Sequence, residues 1–144
     1  MNKETLLGFN ICNTTYSELI NCIFSDFDNN ITNFIININP EIIMNNYKNK
    51  NAIDLFNMQK YQIPDGIGII YASKITHGTL KNRITGIDLM NYICKESINH
   101  DSKIFLYGGV SSIAEKAKFE LEKSYPGIKI VRNLQWLCYR RLRF

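Results

Sequence analysis

Between Lys103 and Val131 a strand-length apolar run, a glycine pair, a helical stretch and a second apolar run follow in close order. That order commits the chain to an α/β fold. Lys103-Ile104-Phe105-Leu106-Tyr107 reads as a buried strand, and Gly108-Gly109 turns the chain after it. Ser112-Ile113-Ala114-Glu115 fits a capping box and starts a helix with Ala117 and Leu121 on one face. Tyr125-Pro126-Gly127 breaks that helix, and Ile128-Lys129-Ile130-Val131 reads as the returning strand. A strand–helix–strand unit of this length joins parallel strands by a right-handed crossover. The prediction is an α/β, Rossmann-like domain over residues 1–132, with a parallel-rich sheet and helices on both faces. Residues 133–144 read as a separate basic, aromatic C-terminal segment.

Upstream, residues 5–12 read as a short strand or arm leading into a helix. Thr15-Tyr16-Ser17-Glu18 fits another capping box, after which Leu19, Ile20, Ile23, Phe24 and Phe27 recur at helical spacing until Asp28-Asn29-Asn30. Phe34-Ile35-Ile36-Asn37-Ile38 has the composition of a buried parallel strand. Asn39-Pro40-Glu41 is a helix start: Asn39 caps, Pro40 takes the first helical position, and Glu41 faces the positive end of the dipole. A short helix is predicted over Ala52–Met58, an apolar segment over Tyr61–Ile63 and a buried helix over Ile67–Ile75. A loop through His77-Gly78 leads to Arg83, and Thr85-Gly86-Ile87-Asp88 opens a helix carrying Leu89, Met90, Ile93 and Cys94.

At 144 residues the chain suits one domain with a real core. Its net charge of +4 is unevenly placed, because Lys123, Lys129, Arg132, Arg140, Arg141 and Arg143 follow the last acidic residue, Glu122. With Trp136, Tyr139 and Phe144 among the arginines, that end suits phosphate or an anionic membrane surface, or is simply a solvated tail. Cys12, Cys22, Cys94 and Cys138 form no CxxC pair and no metal-ligand spacing with His77 or His100, so no metal is expected. Three of them, in apolar surroundings, read as buried thiols in a reducing compartment. No signal peptide or membrane-span-length run is visible, so a cytoplasmic protein touching the inner membrane face is expected.

The chemistry is concentrated in Pro64-Asp65-Gly66-Ile67-Gly68 and Arg83-Ile84-Thr85-Gly86-Ile87-Asp88-Leu89. Glycines there let the chain turn sharply and let a ligand approach it closely. Group transfer needs a base for an incoming hydroxyl and positive charge for leaving phosphates. Asp65 is the candidate base, and Arg83 the candidate phosphate ligand through its bidentate fork. The plainer readings are a turn carboxylate bonding its own backbone and a surface cation. Asn39 serves equally as a cap or as a ligand at a strand-to-helix turn. Asp88 is favoured as the cap partner of Thr85. Gly108-Gly109 suits a phosphate at a helix N-terminus or merely a tightly packed turn.

The blocks Asn39-Pro40-Glu41, Pro64-Asp65-Gly66-Ile67-Gly68, Arg83 to Leu89, Phe105-Leu106-Tyr107-Gly108-Gly109 and Tyr125-Pro126-Gly127 cover roughly residues 5–131. In order and spacing they resemble the WecG/TagA/CpsF glycosyltransferases (glycosyltransferase family 26). The resemblance implies inverting transfer of N-acetylmannosamine, or a related hexose, from a UDP-sugar to a polyprenyl-diphosphate-linked GlcNAc. Such transfer serves cell-wall teichoic acid or surface polysaccharide synthesis. It implies Asp65 as general base and Asn39 against the sugar. Arg83, Gly66, Gly108 and Gly109 would lie around the substrates, and Arg140 and Arg141 would meet the diphosphate. It implies no cofactor, no nucleic acid and peripheral contact with the inner membrane face, and it is compatible with a homo-oligomer. Two departures stand out. The family usually has Thr where this chain has Asn37, a sugar-site position where an amide differs in reach from a hydroxyl. After Val131 the chain passes directly to Asn133-Leu134-Gln135-Trp136-Leu137-Cys138-Tyr139-Arg140-Arg141, which resembles the family's C-terminal basic segment. A chain shortened in its C-terminal half is therefore expected. An inactive remnant and a non-catalytic nucleotide- or lipid-diphosphate-binding module remain the alternatives.

Overall fold

The computed structural model describes residues 1–108 and 112–134. The chain divides into two compact units, Met1–Met90 and Asn91–Phe144.

The first unit opens with an antiparallel hairpin, β1 (Lys3–Leu6) and β2 (Phe9–Cys12), registered from Lys3 opposite Cys12 to Leu6 opposite Phe9. Its two-residue turn puts both Leu7 (φ 47) and Gly8 (φ 92) in the left-handed half of the map, as a hairpin twist demands. The predicted arm is thus a paired hairpin. Leucine in such a turn is uncommon, so the sequence carried only half of the usual signal. Helix α1 (Tyr16–Asp28) starts as expected, with Glu18 N donating to Thr15 Oγ1 at 3.3 Å and Thr15 N to Glu18 Oε2 at 3.0 Å.

Strands β3 (Ile35–Ile38) and β4 (Tyr61–Pro64) are parallel, with Ile35 opposite Tyr61 and Ile38 opposite Pro64. Helices α2 (Pro40–Asn46) and α3 (Lys50–Asn57) make the crossover between them, each capped by an asparagine side chain, Asn39 and Asn49. Helix α4 (Ile67–Ile75) follows β4. Its Ile69, Ile70 and Ser73 are buried, whereas Ile67, Tyr71 and Ile75, one turn apart, face outward. The predicted buried helix therefore buries one stripe only. The core joins Leu6, Phe9 and Ile11 of the hairpin to Ile38, Ile43, Ile69, Ile70 and Leu80. At about 1.5–3 kcal/mol for each large side chain removed from water, this cluster is what holds β3, α2 and α4 together.

Beneath the N-terminal ends of β3 and β4 sits a polar cluster. The buried Asp26 carboxylate of α1 accepts from Lys60 Nζ at 2.6 Å, from the Tyr61 hydroxyl at 2.5 Å and from Asn33 Nδ2 at 2.7 Å. The Lys60 bond first and the Tyr61 bond second hold Asp26 below the usual carboxylate range. Burial first, and then Asp26, push the Tyr61 hydroxyl up to about 12.

Helix α5 (Gly86–Asn99) begins in the first unit and ends in the second. The second unit then holds the predicted strand–helix–strand: β5 (Lys103–Tyr107), α6 (Ile113–Ser124) and β6 (Lys129–Leu134), with the strands parallel. The register shifts once, between Ile104 and Phe105. Cys94, Ile128 and Ile130 form its core, with Ile104, Leu106, Leu121 and Tyr125 packed against them. The expected capping box at Ser112 does not form: Ser112 is left-handed (φ 65) and its side chain makes no cap bond.

The α/β class and its parallel strand pairs are as expected. Among the described residues the strands form three two-stranded ladders, one antiparallel and two parallel, with six helices. Cys12 and Cys94 are buried thiols and Cys22 is half-buried, all three free, and Cys138 lies outside the described residues. Burial pushes the Cys12 and Cys94 thiols up, towards the unreactive protonated form.

Candidate active site

Parallel strands that end side by side present their C-terminal turns together, which is where open α/β sheets take ligands. In the first unit these ends are Ile38 of β3 and Pro64 of β4. The ladder runs one residue further, because Asp65 N donates to Ile38 O at 2.8 Å. That bond fixes the backbone of Asp65 beside the end of β3. Asn37, one residue back on β3, then donates from Nδ2 to Asp65 Oδ2 at 3.0 Å. Both side chains are partly buried, so the bond is shielded from water while the site stays reachable.

Gly66 leaves the strand at φ 95, ψ 142, a conformation that favours glycine, and gives the first turn of α4 no side-chain cap. The helix sits close against α2: a Cβ on Gly68 would lie 2.8 Å from Pro40 Cγ. Asn39 spends its Oδ1 on the α2 cap, accepting from Ile42 N at 2.8 Å. Its Nδ2 has no hydrogen-bond partner among the described residues.

The segment carrying Arg83 is drawn to the same strand end, since Ile84 N donates to Pro64 O at 2.9 Å and the Ile84 side chain is fully buried. Arg83 is exposed and makes no ion pair with another described residue. Gly86 presses against Asn37, and a Cβ there would come closer than 3.0 Å to Nδ2, a distance real Cβ atoms do not tolerate. Thr85 and Asp88 form the cap favoured from sequence. Thr85 Oγ1 donates to Asp88 Oδ2 at 2.6 Å, and Asp88 N returns to Thr85 Oγ1 at 3.2 Å.

The structure thus brings Asn37, Asp65 and Gly86 into contact, and sets Asn39, Gly66 and the backbone of Arg83 on the turns around them. Gly108 (φ 122) follows β5 in the second unit, and Gly109, Arg140 and Arg141 lie outside the described residues. The sequence showed Gly86 as a turn glycine but not what presses on it. It gave no sign of Tyr16, whose hydroxyl accepts from Thr85 N at 2.9 Å. Among the described residues no three His, Cys, Asp or Glu gather as metal ligands, and no helix is long and apolar enough to cross a membrane.

Fold and site together define an α/β domain whose candidate chemistry sits at a parallel strand end, a carboxylate held by an amide with an arginine on the neighbouring turn. The chain belongs to the glycosyl transferase WecG/TagA/CpsF family, whose model matches residues 4–135. Its curated relatives include the N-acetylglucosaminyldiphosphoundecaprenol N-acetyl-beta-D-mannosaminyltransferases of Staphylococcus aureus strains COL and NCTC 8325 / PS 47. Each is 32% identical over 133 residues, covering 91% of this chain and 52% of the relative. The chain therefore spans about half the length of the curated relatives it matches.

Proposed function

We propose that this chain carries the base-bearing part of a glycosyl-transfer site. The reaction is transfer of N-acetylmannosamine, or a related hexose, from UDP to a polyprenyl-diphosphate-linked GlcNAc, with inversion. The observation that carries the reading is the Asn37–Asp65 bond at the ends of β3 and β4. A carboxylate with one oxygen held by an amide keeps the other for the acceptor hydroxyl. Asp65 takes the hydroxyl proton as the acceptor oxygen attacks the anomeric carbon, and the bond to UDP breaks on the opposite face. Asn39 Nδ2 and Asn37 contact the sugar, and the exposed Arg83 meets the charge building on the departing diphosphate. The uncapped start of α4 behind Gly66 offers further donors. Gly108, Gly109, Arg140 and Arg141 belong to the same proposal as donors to the phosphates, with peripheral contact at the inner membrane face.

Because the chain spans half of its relatives' length, a second reading is a diphosphate-binding module, or a remnant, without turnover. UDP release from UDP-N-acetylmannosamine, with a short-chain GlcNAc-diphosphate lipid and an Asp65→Asn control, separates them. Release that disappears in Asp65→Asn supports the transferase. A folded chain that binds UDP but releases none from the donor supports the module.

A further inference from the structure

We propose that Glu4, on the first strand, is the positioning residue for Arg83 and thereby sets how tightly the site holds a nucleoside diphosphate; this rests on the role given to Arg83 above. The partly buried Glu4 carboxylate reaches across to the loop after α4. Its Oε2 accepts from the backbone N–H of Thr79, from Thr79 Oγ1 at 3.1 Å and from Leu80 N at 3.1 Å. Asn13, just after β2, completes the hold on Thr79: its Nδ2 donates to Thr79 O at 3.1 Å and to Thr79 Oγ1 at 3.0 Å. Gly78 is shaped to this clamp, because a Cβ there would collide with Glu4 Oε1. Leu80 is buried beneath it.

Arg83 stands between this clamp and a second anchor from the same end of the chain. Asn82 Nδ2 donates to Thr14 O at 3.3 Å, and Thr85 N donates to the Tyr16 hydroxyl at 2.9 Å. The guanidinium makes no ion pair with another described residue, while the backbone on both sides of it is tied to the first sixteen residues of the chain. A loop held this way presents its arginine already ordered, and ordering is a cost otherwise borne at binding. Burial works against the charged form of Glu4, but the neighbouring Ser73 hydroxyl and the bonds from Thr79 and Leu80 outweigh it and hold the carboxyl below its ordinary value. The clamp is therefore ionised at neutral pH.

Charge and position make opposite predictions here. A carboxylate on the chain segment that supports an anion site repels the anion, so removing its charge should tighten UDP binding if Glu4 acts only electrostatically. If it acts by holding the loop, removal should weaken binding. The test is UDP affinity by titration calorimetry for the wild type, Glu4→Gln, Gly78→Ala, Arg83→Gln and the Glu4→Gln/Arg83→Gln pair. Gly78→Ala displaces the carboxylate without changing the charge, and a thermal melt of each variant confirms folding. We expect Glu4→Gln and Gly78→Ala each to raise the Kd for UDP by roughly three- to tenfold, and Glu4→Gln to add nothing once Arg83 is gone. Unchanged or tighter binding in Glu4→Gln overturns the proposal, as does the same loss in the Arg83→Gln background. Wild-type binding that is absent, or indifferent to Arg83→Gln, overturns the role of Arg83 itself and this inference with it.

Discussion

Gly86 leaves its Cβ position to Asn37: the amide nitrogen that holds Asp65 occupies the space a side chain on Gly86 would need. The two residues lie 49 positions apart, and only the docking of the Arg83–Gly86 segment on the end of β4 brings them together. Gly86→Ala must push the amide aside and lengthen or break its bond to Asp65. Alanine in place of a helical glycine gains up to about 1 kcal/mol of propensity, which offsets much of the crowding. The expected result is a urea midpoint close to wild type with UDP release reduced on the order of tenfold. A large fall in the midpoint would place the role of Gly86 in stability instead.

Asn37→Ala removes the donor without adding bulk. The net contribution of a bond to a charged group is about 1.5–3 kcal/mol, so stability should fall by no more than that. Turnover should fall more, because an unheld carboxylate samples rotamers that do not face the acceptor. Asn37→Thr, the residue usual in the family, restores a hydroxyl donor of shorter reach and should recover part of the loss. Rates for the three chains measured side by side with one donor sugar check this. Equal rates in all three would remove Asn37 from the mechanism.

Acid and alkali should act on the Asp26 cluster from opposite sides. The lowered Asp26 carboxyl contributes stability in full above the ordinary value near 4, and that contribution disappears as the pH falls through its lower folded value. Tyr61, pushed up to about 12, contributes in full below about 10 and loses that contribution as the pH rises towards 12. Asp26→Asn should therefore lower the melting temperature at pH 7 and flatten its fall between pH 5 and about 3. Melts across that range test it, and a variant as acid-sensitive as the wild type would contradict it.

Local signals were legible wherever neighbours in sequence settle the structure. Asn39-Pro40-Glu41 caps α2, Thr15 and Glu18 cap α1, Thr85 and Asp88 cap the start of α5, and Ile67–Ile75 is helical over the predicted span. The strand–helix–strand of the second unit was equally plain, because an apolar run between glycine and proline signals has few alternatives. What the sequence could not show is settled by distant partners. Asp65 was marked by its glycine turn, yet its amide partner comes from another strand 28 residues earlier. Glu4 looked like an ordinary strand carboxylate, and its three donors lie 75 and 76 residues away. Asp26 and Lys60 likewise gave no hint of each other.

Ser112 shows how a local signal fails. Ser112-Ile113-Ala114-Glu115 has the same form as Thr15-Tyr16-Ser17-Glu18, but a capping box needs its first residue extended so that the hydroxyl points along the helix axis. Thr15 meets that condition at φ -102, ψ 166, and Ser112, at φ 65, ψ -5, does not. In the left-handed region an L-residue carries a penalty of roughly 1 kcal/mol that glycine escapes. Since the Ser112 side chain makes no cap bond, its removal loses little in return. Ser112→Gly should therefore stabilise the chain by roughly 0.5–1 kcal/mol despite glycine's greater freedom when unfolded. The same change at Thr15 should destabilise it, because there a hydroxyl bond to Glu18 N is lost as well. Urea denaturation of the two variants reads the signs directly, and a fall in both would mean that Ser112 has a partner which its conformation alone does not reveal.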